Sequence, residues 1–152
     1  MDKPKTIEGK LFCDARGRLL TWNEYNPTQG GIKRSYVVKN RENGYIRAFH
    51  FHQFEEKYIR VVQGAALFVY YHPTDIKTGD CNGEYQKIVL DSDVPQVLYL
   101  PPNTAHGFKT LEENTLILVD STFTLEQSKA DDYRYEYNIL GTYADVWEKK
   151  FY

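Results

Sequence analysis

Short β-prone runs, each closed by a turn signal, dominate this chain and leave no room for a long helical period. Runs rich in Val, Ile, Leu, Tyr and Phe cover Lys10 to Cys13, Arg18 to Glu24, Ile32 to Val38, Ile46 to Phe51 and Lys57 to Gln63. They continue through Ala65 to Tyr71, Gly83 to Leu90, Gln96 to Leu100, Gly107 to Thr110 and Thr115 to Thr122. Breakers separate them at Asp14 to Gly17, Gln29-Gly-Gly31, Arg41 to Gly44, Gly64, Lys77 to Gly83, Asp91 to Pro95 and Pro101-Pro-Asn103. Branched and aromatic side chains suit a pleated, half-buried surface, and closely spaced breakers make the chain reverse, so the pattern predicts an all-β sandwich or barrel. The segment after Glu126 departs from it: acidic and Tyr-rich, with a helical turn expected around Gln127 to Asp132. Its aromatic end, Trp147, Phe151 and Tyr152, is expected to pack an edge or a dimer interface.

A length of 152 residues predicts one domain able to bury a core without disulfides or metals. The net charge of −2, with Lys and Arg scattered, gives no basic stripe for nucleic acid and no polybasic membrane anchor. Cys13 and Cys81 are the only cysteines and read as reduced, structural thiols. The opening Met1-Asp-Lys-Pro-Lys-Thr6 lacks the apolar run of a secretory leader, and no apolar stretch approaches the roughly 18 residues of a membrane span. The expected location is the cytoplasm.

The chain holds four histidines, and the run Ile46-Arg-Ala-Phe-His-Phe-His52 takes two of them. At i and i+2 on a strand, His50 and His52 share a face about 6.6 Å apart, close enough to converge on one small substrate or one metal ion. A lone strand histidine is by default a satisfied polar core residue; two on one face call for chemistry.

The spacing Gly44, His50-Phe-His52, Glu56, Gly64 resembles the first motif of the cupin barrels. Pro101-Pro-Asn-Thr-Ala-His106 resembles the second, with Asn103 where glycine usually stands and tolerating the left-handed conformation better than most residues. The resemblance implies a cupin, a double-stranded β-helix or jelly-roll barrel, with His50, His52 and His106 lining its mouth.

Within the cupins the chain resembles those that act on nucleotide-linked 4-keto-6-deoxy sugars. Phe12-Cys-Asp-Ala-Arg-Gly17 and Arg47-Ala-Phe-His50 match marks common to two branches. Leu100-Pro-Pro-Asn-Thr-Ala-His-Gly-Phe108 and Trp147 echo the dTDP-4-dehydrorhamnose 3,5-epimerases. Ile32-Lys-Arg-Ser-Tyr36, the His50/His52 pair and Asp132-Tyr-Arg-Tyr-Glu-Tyr137 fit the 3,4-ketoisomerases. The epimerase branch uses a tyrosine acid that would align at about Leu118, and no tyrosine stands between Thr110 and Tyr133. It also uses an aspartate beyond a Trp-Pro pair, a position this sequence does not reach. Because an epimerase must protonate the face opposite the one it deprotonates, the resemblance favours ketoisomerisation over 3- or 3,5-epimerisation.

In that frame His50 is the expected base at C3 and His52 the second acid/base, both suited by imidazole's near-neutral pKa. The expected substrate contacts are Arg47, Tyr36, Arg34, His106, Lys57 and Arg60, with Lys57, Arg60 and Lys33 available to a diphosphate. Arg47 lies three residues before His50, so strict alternation turns it away and its role depends on a bulge. Each has a plainer reading, as a surface ion pair, a core tyrosine with its hydroxyl at the rim, or a solvated strand end. Asp14, Arg16 and Gly17 read equally well as a turn, and His72 as structural or exposed. The resemblance implies no cofactor, a nucleotide-sugar partner and a homodimer with exchanged N-terminal strands. Two competitors stay open: a metal cupin with His50, His52, Glu56 and His106 as ligands, and a sugar-binding cupin without catalysis.

Overall fold

The computed structural model describes residues 2–22 and 24–148. Twelve strands and two short helices follow in the order β1 (Lys5–Glu8), β2 (Lys10–Asp14), β3 (Gly17–Thr21), β4 (Arg34–Val38), β5 (Ile46–Phe51), β6 (Lys57–Gln63), β7 (Ala65–Tyr71), β8 (Gln86–Asp91), β9 (Gln96–Leu100), β10 (Ala105–Thr110), β11 (Leu116–Ser121), α1 (Leu125–Ala130), β12 (Tyr133–Arg134) and α2 (Tyr143–Val146). They form two antiparallel five-stranded sheets, ordered β1-β9-β6-β11-β4 and β12-β5-β10-β7-β8, and a separate β2-β3 hairpin. This is the expected jelly-roll barrel. The strands expected at 46–51, 57–63, 65–71 and 96–100 match residue for residue, and β1 and β12 are additions.

Alternation along the strands sorts the side chains into three clusters. Ile59, Val61, Phe68, Leu98, Leu100, Ile117 and Val119 point between the sheets and form the barrel interior. Tyr58, Val97 and Tyr99 cover the outer face of the first sheet under Ile7, Trp22 and Tyr25. Phe49, Phe51, Leu67, Val69 and Tyr71 cover the outer face of the second sheet, where the C-terminal segment packs Tyr135, Val146 and Trp147 on them. Trp147 is fully buried there, its indole N–H donating to the Tyr137 carbonyl at 2.9 Å. It thus packs a sheet face within the chain; Phe151 and Tyr152 lie outside the described residues.

The β2-β3 hairpin stands apart, with Leu11, Phe12 and Leu19 about half exposed. Its tip is the turn read from Asp14, Arg16 and Gly17: the Asp14 carboxylate accepts from the Arg16 backbone N–H at 2.9 Å, and Gly17 takes a φ of +127°. Thr124 caps α1 through a reciprocal capping box with Gln127, which starts the helix slightly earlier than the expected 127–132. No described helix is long and apolar enough to cross a membrane.

Candidate active site

A cavity of about 310 Å³ opens at one end of the barrel, between the inner faces of the two sheets. The inner faces of β4, β5, β6, β10 and β11 supply its walls, and α1 and β12 border its mouth. Its apolar lining includes Val38, Ile59, Phe68, Phe108, Ile117 and Val119; its polar lining, drawn from both sheets, includes Arg34, Tyr36, Arg47, His50, His52, Lys57 and His106. Six of the expected substrate and catalytic residues other than Arg60 thus join His50 around one hollow.

A β-bulge makes this possible. In the β5-β10 ladder His106 pairs with His50, but Phe108 pairs with Arg47, so β5 carries one extra residue there. The extra residue resets the alternation, and Arg47 lines the same pocket as His50. Its Nε donates to Asn40 Oδ1 at 2.7 Å. Gly107 allows the close approach: a Cβ there would lie 2.3 Å from Ala48 Cβ and 2.8 Å from Ala48 Cα. Asn103 takes a φ of +64°, the left-handed conformation expected of the residue standing in for glycine.

The three imidazoles lie in an arc, with ring centroids 6.2 Å apart for His50 and His106 and 6.3 Å for His52 and His106. His50 is half-buried, and its ring has no hydrogen-bond partner among the described residues. Burial first, and then the Lys57 ammonium, lowers its pKa to about 4. The same two causes lower His52, opposed by Glu55, and push the buried His106 well below the usual histidine range. All three are therefore neutral near pH 7, and Lys57 is the positive charge they face.

His52 is held on both sides. Its Nδ1 donates to the Asp131 carbonyl at 2.6 Å and lies 3.2 Å from Glu55 Oε2, while its Nε2 accepts from Lys57 Nζ at 3.3 Å. Lys57 itself is buried, so it sits among the histidines in the depth of the pocket rather than at a solvated strand end. The Asp131 carboxylate accepts from the backbone N–H of Gln53 and Phe54, both at 2.9 Å, and so pins the bend that returns Glu55 to His52.

Two expected placements fail. Arg60 alternates to the outer face of β6, where it pairs with Asp120 at 3.0 Å and stacks over Trp22 at 5.4 Å; strand alternation from the inward Lys57 and Ile59 dictates this. Glu56 also turns outward: Oε1 accepts from Tyr99 at 2.7 Å and from Thr28 at 2.8 Å. The ligand set His50, His52, Glu56 and His106 is therefore not assembled. Among the described residues no group of three or more His, Cys, Asp or Glu is placed to hold a metal ion. His72 is exposed, with Nδ1 2.8 Å from the Asn103 carbonyl, and Lys33 is exposed and lines no part of the cavity.

Sequence reasoning missed Glu55, Asp131, Lys129, Asp132 and Arg134. The last three border the cavity, and Arg134 pairs with His50 across β12-β5. The acidic spacing after His52 was visible, but only the tertiary bend shows which of Glu55 and Glu56 returns inward. At the place of the epimerases' acid, Leu118 faces away from the cavity and its neighbours Ile117 and Val119 face in. Val119 pairs across the ladder with Tyr36.

The sequence model of a family described as dTDP-4-dehydrorhamnose 3,5-epimerase matches residues 2–141. A curated dTDP-4-dehydrorhamnose 3,5-epimerase of Methanothermobacter thermautotrophicus is 27% identical over 124 residues, covering 77% of this chain. The chain spans 65% of that relative's length. The crystal structure of a dTDP-4-dehydrorhamnose 3,5-epimerase from Bacillus anthracis with TDP and PPi bound is similar at a TM-score of 0.69 and 26% identity, covering 89% of this chain and 79% of that one. A sugar 3,4-ketoisomerase from Thermoanaerobacterium thermosaccharolyticum in complex with TDP shares the fold at a TM-score of 0.66 and 20% identity, covering 90% of each chain.

Proposed function

We propose that this chain, which belongs to the dTDP-4-dehydrorhamnose 3,5-epimerase family, isomerises a nucleotide-linked 4-keto-6-deoxy sugar by moving its carbonyl from C4 to C3. One observation carries the choice of reaction. The strand that would present an epimerase's acid to the cavity presents Ile117 and Val119 instead.

In the proposed reaction the C4 carbonyl acidifies the C3 proton, and neutral His50 removes it. Negative charge develops on O4 facing the Lys57 ammonium and the Arg34 guanidinium, whose buried Nη1 has no hydrogen-bond partner among the described residues. The resulting enediolate takes a proton on O4 to become the enediol, which then gains a proton at C4 as it loses one from O3, with His52 as the group that handles them; the two protons taken from C3 and O3 balance the two given to O4 and C4. The hydrogen of C3 is replaced by one at C4, and the hydroxyl passes from C3 to C4. Tyr36 and His106 hydrogen-bond the sugar, and Arg47 at the mouth meets the diphosphate. The single cupin domain works in the cytoplasm as a homodimer; the projecting hairpin with outward Leu11, Phe12 and Leu19 supports the pairing of two copies.

A second reading, 3-epimerisation, is favoured by Tyr36. This phenol lines the cavity beside Val119 and offers from β4 an acid that β11 lacks. Incubation with TDP-4-keto-6-deoxyglucose in deuterated water separates the two. Exchange at C3 with a 3-keto product supports ketoisomerisation, exchange at C3 with inversion and no carbonyl shift supports the second reading, and no exchange at saturating substrate refutes both.

A further inference from the structure

The most heavily bonded buried group beside the pocket is one that the proposed reaction does not use. The Glu55 carboxylate is fully buried. Ser121 Oγ donates to its Oε1 at 2.5 Å, Ser128 Oγ of α1 donates to its Oε2 at 2.9 Å, and Arg34 Nη2 approaches Oε1 at 3.5 Å. That same Oε2 lies 3.2 Å from His52 Nδ1. A carboxylate so anchored cannot swing, and it faces the imidazole nitrogen that points away from the cavity. The opposite nitrogen accepts from Lys57, so acceptors flank Nδ1 and a donor flanks Nε2.

We propose that Glu55 is the positioning residue of this pocket: with the Asp131 carbonyl it holds His52 as the Nδ1–H tautomer, and it supplies the fixed negative charge against which Nε2 gains and releases a proton. The inference rests on the ketoisomerase reading for its catalytic consequence, but the tautomer does not depend on it. Without Glu55, Lys57 on one side and burial on all sides oppose a charged His52, and His50 is untouched. Deprotonation at C3 and proton delivery at C4 then come apart.

Two measurements test this. In the full chain labelled with 15N-histidine, long-range proton–nitrogen correlation reads the His52 tautomer, assigned by its loss in His52→Asn. A protonated Nδ1 is expected; a protonated Nε2 with bare Nδ1 overturns the proposal. With TDP-4-keto-6-deoxyglucose in deuterated water, Glu55→Gln is expected to keep C3 exchange within a few-fold of the parent while 3-keto product falls about 100-fold, at the low end of what a positioned acid or base contributes. KM should hold, and Glu55→Asp should recover part of the loss. Parallel loss of exchange and product in Glu55→Gln marks a merely structural role, and retention of both marks none; either overturns the proposal. If the parent itself shows no exchange, the functional reading fails and the His52 nitrogen signals of Glu55→Gln decide the role of Glu55: signals shifted from the parent's support it, and signals identical to the parent's overturn it.

Discussion

Replacing Gly107 with alanine tests whether the β5-β10 bulge holds the site together. Gly107 does not adopt a positive φ, so alanine meets no conformational penalty; by chain entropy alone it would stabilise a strand position by about 0.4–1 kcal/mol. Sterics oppose this. The new Cβ would lie 2.3 Å from Ala48 Cβ, 2.8 Å from Ala48 Cα and 2.8 Å from the Arg47 carbonyl oxygen. Two of these three atoms are backbone, so no rotamer change relieves them. Restoring carbon contacts to roughly 3.5 Å requires the strands to part by about 1 Å, and overpacking of this kind costs about 1–3 kcal/mol. For urea slopes of about 1–3 kcal/mol/M the unfolding midpoint should fall by roughly 1 M with the slope unchanged. Ala48→Gly removes the shortest contact but leaves both backbone ones, so the double variant should recover only part, with a coupling of about 1 kcal/mol. Turnover should fall further than stability, because Arg47 and His50 flank the displaced segment. A Gly107→Ala protein as stable as the parent, or a strictly additive double variant, would refute the reasoning.

Three further outcomes are expected. His50→Asn should bind TDP as the parent does while losing C3 exchange by at least 100-fold, measured by calorimetry and proton spectra; retained exchange would move the base elsewhere. Because burial and then Lys57 lower the His50 pKa to about 4, the acid limb of kcat/KM should fall near pH 4 rather than 6.5, and Lys57→Met should raise the His50 titration midpoint read from its imidazole protons. The same shift sets a stability trend: below an unfolded pKa of about 6.5 the unfolded chain takes up a proton that folded His50 refuses until about pH 4. Stability is thus unaffected by His50 above about pH 6.5 and falls across that window by up to about 3 kcal/mol, to be read from urea midpoints at successive pH values.

Short β-prone runs bounded by clear breakers, such as Lys57–Gln63 and the continuously apolar, wholly buried Ala65–Tyr71, were legible because composition, length and burial agree. β1 and β12 were not: Lys5–Glu8 and Tyr133–Arg134 are strands through their pairing with β9 and β5, which no local signal encodes. The site followed the same division. His50, His52 and His106 could be read from spacing, and Arg47 could be read only up to the condition of a bulge, which the ladder supplies. Arg60 was misplaced because being basic and near the motif says nothing about which face it takes; two-residue alternation from Lys57 sends it outward. Glu55 stayed hidden because its partners, Ser121 and Ser128, come from 66 and 73 residues later in the chain.

Strand β5 has a second side. Behind the imidazole of His50, Phe49 exchanges backbone hydrogen bonds with Tyr135 at 2.8 and 3.0 Å, and its ring rests 5.5 Å from that of Trp147. The C-terminal segment is therefore coupled to the strand of His50: in the proposed reaction, a change of volume beneath Trp147 is expected to tilt the imidazole by way of the backbone, without altering any atom that lines the cavity. On that reading Trp147, which lines no part of the cavity, would have a mechanical hold on how the proposed base meets C3.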